Sequence, residues 1–302
     1  MKTKPIYVEI PINSGVDEVW DKSQNPSLHQ QWDLRFSSIT YLPKESESDP
    51  QAFRYETNIG FGLKVSGWGE SIGTHKKEDG SKVSSLHFGT PQKSSLISEG
   101  RGYWKYIHKG QGTTFLTQYD YDVRFGWFGR LVDSCFRPLM GWATALSFDV
   151  LKRWIEKGEL PRTQYLRFFS TAIITFLYFF IWCYQGLVPK IIAKHPEEVA
   201  MLASLSSMET DAAVQAVGII GGLEVLFGLS WLLYRKKRHL HLLQIIVFPL
   251  LTLSALLAEP SIHTHPFNPV TFNASLWVLS ILGFILAKDV PTATSCKRSR
   301  KE

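Results

Sequence analysis

Four long apolar runs, at residues 168–187, 212–234, 240–258 and 270–287, constrain this chain more than any other feature. Each is close to the roughly 20 residues that a helix needs to cross a hydrocarbon core about 30 Å thick, the last being the shortest. Helices buried in a soluble protein are shorter and carry a polar stripe, and these runs have none. An all-α four-helix transmembrane bundle is therefore expected over residues 161–290, behind a soluble domain at 1–160 and ahead of a basic tail at 291–302.

The flanking charges predict an orientation. Lys152, Arg153, Lys157, Arg162 and Arg167 precede the first run, "RKKRH" separates the second from the third, and Lys288 and "CKRSRKE" follow the fourth. The intervening loops hold only Lys190 and Lys194 in one and no Lys or Arg in "EPSIHTHPFNP". Alternation of this kind follows the positive-inside rule and puts both termini in the cytoplasm. The opening "MKTKPIYVEIPINSGVDEVW" has no apolar core of a signal peptide, so an inner (cell) membrane protein with a cytoplasmic first domain is expected. The net charge of +6 gathers at the ends of apolar runs, and no nucleic-acid-binding motif accompanies it. Three cysteines without close spacing argue against a disulfide framework or a structural zinc site, and no metal site is expected.

One carboxylate, Glu224, falls inside the second apolar run. A charge in mid-bilayer costs a few kcal/mol on insertion scales, so such a residue faces a bundle interior or a wet cavity. The neighbouring Gly218, Gly221, Gly222 and Gly228 allow another helix to approach closely. At the end of the first run, "WCYQGLVPKII" places Gly186 and Pro189 where they should break the helix, with Lys190 either reaching the headgroups or pairing with an acid. Gln185, Gly186, Pro189, Lys190 and Glu224 form the expected polar site of the membrane domain. "YQGLVPKI" followed by "GGLEVLFG" resembles the DoxX-like family of small four-span membrane proteins, over roughly residues 166–287. That family's name points to DoxX, a membrane subunit associated with quinone-linked sulfur oxidation in archaea. The resemblance thus implies a quinone as one possible ligand.

The first half reads differently. "IYVEIPI" alternates as a strand, "NSGVDEVWDKSQNPSLHQQWD" as two short helices broken at Asn25-Pro26, and "QAFRYETNI" puts Phe53, Tyr55 and Thr57 on one strand face. "GTTFLTQYDYDVRF" does the same with Phe115, Thr117, Tyr119, Tyr121, Val123 and Phe125, leaving Asp120 and Asp122 on the solvent side. Leu139, Ala143, Leu146, Val150 and Trp154 in "RPLMGWATALSFDVLKRWIEKG" form the stripe of a long amphipathic helix. The order is strand, two short helices, about six strands and a long helix, an α+β arrangement in which a bent sheet grips one helix. With the "VDEVWDKSQNPSLHQQWD" opening and the "SFDVLKRWIEKG" close, it resembles the START-like (SRPBCC, polyketide cyclase/ligand-transport) superfamily. The resemblance implies a helix-grip fold with a deep pocket for a hydrophobic ligand, without fixing a chemistry.

Aromatic and acidic residues on the expected strands supply the candidate pocket: Trp32, Tyr55, Trp68, Glu70, Glu99 and Tyr121. No set of acid, histidine and nucleophile appears, so no catalytic residue is expected. The expected function is binding or transfer of a hydrophobic small molecule, a lipid or a quinone-like compound, at the cytoplasmic surface of the lipid bilayer. Two alternatives stand beside it: a subunit of a quinone-linked oxidoreductase with a redox partner, and a ligand-responsive sensor or scaffold, in either case open to membrane oligomerisation. No resident cofactor is evident.

Overall fold

The computed structural model describes residues 4–46, 49–60, 62–76 and 78–300. The chain divides into two compact units, one of residues 1–165 together with 291–302, the other of residues 166–290.

The first unit is built on a seven-stranded, wholly antiparallel sheet. Its strands are β1 (Ile6–Ile12), β2 (Ser38–Tyr41), β3 (Gln51–Gly60), β4 (Leu63–Lys76), β5 (Lys82–Gly89), β6 (Ile97–Lys109) and β7 (Gly112–Val123), in the order β1-β7-β6-β5-β4-β3-β2. Helices α1 (Val16–Gln24) and α2 (Pro26–Trp32) join β1 to β2, and Asn25 accepts a bond from the Ser27 amide to start α2. The long helix α3 (Gly126–Lys157) packs on β1 and β7, closing the helix-grip fold. Val8, Ile10 and Phe115 of the sheet and Leu146, Phe148 and Val150 of α3 are all fully buried, and the Phe115 and Phe148 rings stack 4.4 Å apart.

Two local expectations are corrected here. The long helix does not begin at Arg137 but at Gly126, and Pro138 lies inside it. The apolar residues at 127, 128, 131 and 132 extend the helical period backwards, which outweighs one missing backbone bond. Consequently Phe125 does not continue the β7 face. It adopts φ 67°, a left-handed conformation that ends the strand and turns its ring outward.

The closing residues also belong to this unit. Glu9 and Lys297 exchange paired backbone bonds of 2.9 Å, and the Lys297 ammonium lies 3.1 Å from the Glu9 carboxylate. The Thr292 amide donates to Asp149 at 2.9 Å and Arg298 to the Pro138 carbonyl at 3.0 Å, while Ala293 is buried. The segment expected as a separate basic tail is thus an integral edge of the folded first unit.

The second unit is helical. Among the described residues, four helices are long and apolar enough to span a membrane: Pro161–Ile192, Thr210–Leu233, Lys237–Ala258 and Pro269–Leu286. The first comprises α4 (Pro161–Gln185) and a π-helical continuation, Gly186–Ile192; then come a short α5 (Pro196–Ser206), α6 (Thr210–Leu233), α7 (Lys237–Ala258) and α8 (Pro269–Leu286). The expected break at Gly186 and Pro189 is absent. The wider π turn takes up the proline, whose missing N–H a regular α-helix would need. Large apolar side chains such as Ile173, Phe180, Leu223, Leu250 and Ile285 point outward, as lipid contact requires.

Inside the second unit, Tyr178 stacks on Trp231 at 4.8 Å and its hydroxyl meets the Leu276 carbonyl and the Ser280 hydroxyl, both at 2.7 Å. His241 is fully buried beside this cluster. A Cβ built on Gly283 would lie 2.1 Å from the His241 ring, so the imidazole occupies the space that a side chain on α8 would take. Gly283→Ala is therefore expected to destabilise the protein in detergent by about 1–3 kcal/mol through overpacking. His241→Ala in the same chain should recover most of that loss in a thermal unfolding assay; no recovery would mean that the two residues do not share this space.

Candidate functional site

The concave face of the sheet and the pocket side of α3 enclose a cavity of about 410 Å³, within the range of small-molecule sites. Its walls are mainly apolar and aromatic. β3 contributes Phe53, Tyr55 and Thr57, β4 Val65 and Ser71, and β5 Ser84, Leu86 and Phe88; α3 adds Val132, Phe136 and Met140. The open volume has a sequence cause. A Cβ on Gly67 would lie 2.3 Å from the Tyr55 ring, and one on Gly69 would lie 2.2 Å from the Phe53 ring. Gly100 stands in the same relation to the Phe88 ring, with 2.4 Å to its nearest ring atom. The large rings thus lie flat over glycines of the neighbouring strand instead of filling the space between sheet and helix.

One part of the wall is polar. α2 ends at Trp32, and the following "DLRF" turn carries Asp33 and Arg35. Arg35 grips Asp33 with two parallel bonds, Nε to Oδ1 at 2.9 Å and Nη2 to Oδ2 at 2.6 Å, and His29 Nε2 lies 3.1 Å from the same carboxylate. Arg35 and His29 line the cavity, with Asp33 completely buried behind them. Burial alone would raise the Asp33 carboxyl, but the Arg35 guanidinium outweighs it and holds that group well below the usual carboxylate range. Burial lowers His29, with Asp33 opposing, which favours the neutral imidazole. The cavity thus presents apolar walls and a fixed guanidinium, a combination that suits a lipophilic molecule with an acceptor or anionic group.

The six residues expected to line the pocket are dispersed. Tyr55 is on the wall, its hydroxyl 3.3 Å from the Gly89 carbonyl. Trp32 lies in the core, its indole N–H donating to the Lys22 carbonyl at 2.9 Å. Tyr121 is also core, bonded through its hydroxyl to Asp133 at 2.6 Å. Trp68, Glu70 and Glu99 belong to the opposite sheet face: the Trp68 and His87 rings meet edge-on at 4.9 Å and His87 bonds Glu99 at 2.5 Å. Strand parity sends Val65 and Ser71 inward and Trp68 and Glu70 outward. Arg35, Asp33 and His29 were not singled out from the sequence. The one available signal was a fork-forming Asp-x-Arg pair directly after a helix end.

The membrane unit brings its candidate residues closer together. Gly186 and Gly221 meet backbone to backbone, each one's built Cβ falling 2.4–2.6 Å from the other's carbonyl oxygen. That approach sets the Lys190 ammonium 3.0 Å from Glu224 and 3.7 Å from Glu198. The pairing answers the carboxylate with a cation from the adjoining helix. Gln185 and Pro189 flank the contact, Gln185 closing α4 and Pro189 lying within the π turn, and neither belongs to the ion pair.

The uncharacterized membrane protein YndG of Bacillus subtilis (strain 168) is 39% identical over 313 residues, covering 100% of both chains. The chain belongs to the YndG family of membrane proteins. In addition, a model of the DoxX-like family matches residues 179–281, which contain the Gly186–Gly221 contact and the Lys190–Glu224 pair of this YndG relative. Solved structures similar to the first unit include the Zhui aromatase/cyclase from Streptomyces sp. R1128, at 10% identity over 51% of this chain and 97% of that one, with a TM-score of 0.40. Human StAR-related lipid transfer protein 5 is 15% identical over 50% of this chain and 76% of that one, also with a TM-score of 0.40. In this YndG-family chain a sheet that grips one long helix thus precedes a helical unit whose residues 179–281 match the DoxX-like family model.

Proposed function

We propose that the protein binds a hydrophobic small molecule, a lipid or a quinone-like compound, in the cavity of its first unit and exchanges it with the membrane that its second unit spans. The observation that carries this reading is the 410 Å³ cavity, open over glycines and bearing the Arg35 guanidinium, in a chain with four membrane-length helices. Asp33 is engaged by Arg35 and His29, which supports binding over proton-transfer chemistry.

Residues before the first span and after the fourth belong to the same compact unit, and a compact unit lies on one side of a bilayer. With an even number of crossings and the basic clusters on the same connections, this supports cytoplasmic termini at the inner membrane.

Native mass spectrometry with organic extraction of the detergent-purified full-length chain tests the reading. The wild type should carry one hydrophobic species near stoichiometry. Leu86→Trp, which fills the cavity, should lose it, and Glu70→Gln on the opposite sheet face should keep it. Retention by Leu86→Trp with loss in Glu224→Gln would relocate the site to the membrane unit, and absence of any ligand would overturn the proposal.

A further inference from the structure

The first two turns of α3 and the residue before them expose apolar surface that the fold leaves unused. Trp127 is 78% exposed, Phe128 55%, Leu131 62% and Phe125 51%. The backbone is committed to this display. Phe125 and Gly126 both have positive φ (67° and 54°), and a Cβ on Gly129 would come within 1.7 Å of the Arg124 carbonyl oxygen. A non-glycine residue in the left-handed region is strained, persists only where the surrounding structure holds it, and clusters at functional sites. Here the strained residue is an aromatic turned into solvent.

Two further features meet at this tip. A groove of about 430 Å³ beside it is lined by Lys4, Arg130, Arg137 and Arg298, with Asp133 the only acid in the lining among the described residues. The amino end of α3 has no side-chain cap, so its first amides present donors and a positive dipole end. The tip also adjoins the cavity. Arg124 Nη2 holds the Thr90 carbonyl at 2.5 Å and its amide holds the Leu96 carbonyl at 2.8 Å, fixing the loop whose Ser94, Ser95 and Leu96 line the cavity. One turn further along α3, Val132, Phe136 and Met140 are on the cavity wall.

Exposed Trp, Phe and Leu flanked by Lys and Arg form the composition of an interfacial membrane contact, in which rings settle at the headgroup level and cations meet anionic lipid. We propose that residues 125–131 dock into an anionic bilayer surface, with Lys4, Arg130 and Arg298 against the headgroups, and thereby set the cavity mouth at the lipid interface. The docking surface stands by itself, but its use as an exchange route rests on the ligand-binding reading above.

The test uses the full chain in phosphatidylcholine vesicles with and without phosphatidylglycerol. After Cys135→Ser, Cys183→Ala and Cys296→Ser, nitroxides are placed singly at Trp127→Cys, Phe128→Cys and Leu131→Cys, with Lys109→Cys at the far β6–β7 hairpin as the aqueous reference. Collision with a nickel chelate should fall severalfold below the reference at all three tip positions while collision with oxygen rises, and phosphatidylglycerol should deepen both changes. Tip positions as accessible to nickel as Lys109→Cys would overturn the proposal. So would shielding from nickel and oxygen alike, which marks a protein partner. Hydrogen exchange of the unmodified chain in the same vesicles repeats the measurement without substitutions: slower exchange at residues 125–131 with phosphatidylglycerol supports docking, and unchanged exchange counts against it. Ligand content of the same samples separates the two readings. An aqueous tip with ligand retained sinks docking alone, whereas an immersed tip without ligand sinks the binding reading alone.

Discussion

Arg35→Leu is expected to destabilise the first unit by about 3–5 kcal/mol, the cost of leaving one member of a buried ion pair alone. Asp33 is completely buried and its two oxygens are held by the fork of Arg35. In the wild type the depressed carboxyl stabilises the fold at all pH values above the unfolded value, near 3.9, and this contribution fades only as acid approaches the lower folded value. In the variant, burial acts without its counterweight and the Asp33 carboxyl rises above its unfolded value. Stability must then fall as pH rises through the unfolded value, the reverse of the wild-type slope. His29 enforces the same direction, since with Arg35 gone a proton on its ring, 3.1 Å from Asp33, is the remaining source of compensation at low pH. Calorimetry of the full-length chain in detergent from about pH 5 to 8 should show the deficit growing with pH. Asp33→Leu in the same chain should restore most of the loss and flatten the dependence. A deficit independent of pH would contradict the pairing.

In the membrane unit the largest effect is expected from Lys190→Met. Glu224 would then keep its place beside the Gly186–Gly221 contact without the ammonium 3.0 Å away, at a cost again of about 3–5 kcal/mol. The folded fraction recovered by size-exclusion chromatography should drop sharply, and the midpoint of unfolding in sodium dodecyl sulfate should shift down. Adding Glu224→Gln should rescue both, because an amide in that position no longer carries a charge to compensate. If Lys190→Met were as stable as the wild type, the lysine would be serving the headgroups and not the acid.

The parts of this molecule that composition controls were legible from the sequence. Apolar runs of this length suit a bilayer, and four helices long and apolar enough to cross one cover the expected positions, the first starting earlier, at Pro161, and continuing through Pro189 as a π turn. Element order likewise conveyed the gripping sheet. Pocket membership was far less legible, because both faces of β4 carry large or polar groups and period-2 alternation does not say which face is concave. Size and polarity suggest Trp68 and Glu70 for the pocket, yet the decisive signal is Gly67 and Gly69, which alternate with them and whose absent side chains leave room for Tyr55 and Phe53. Arg35 sits in an irregular turn where no periodicity applies, although His29 and Asp33 are an i, i+4 pair at the end of α2. His241 escaped notice for a related reason, as its burial depends on Gly283, two helices' worth of sequence away.

The edge formed by residues 291–300 bears on how the protein is made. Residues 4–165 leave the ribosome before the membrane-length helices, but Ala293, Cys296 and Lys297, which cover α3 and pair with β1, leave it after them. The fold of the first unit is thus completed only after the fourth helix has been synthesised. The polypeptide thereby ties completion of its first unit to synthesis of all four long helices: a nascent chain stalled at α6, α7 or α8 keeps an unfinished sheet edge at β1, the kind of exposed strand that templates pairing with another chain.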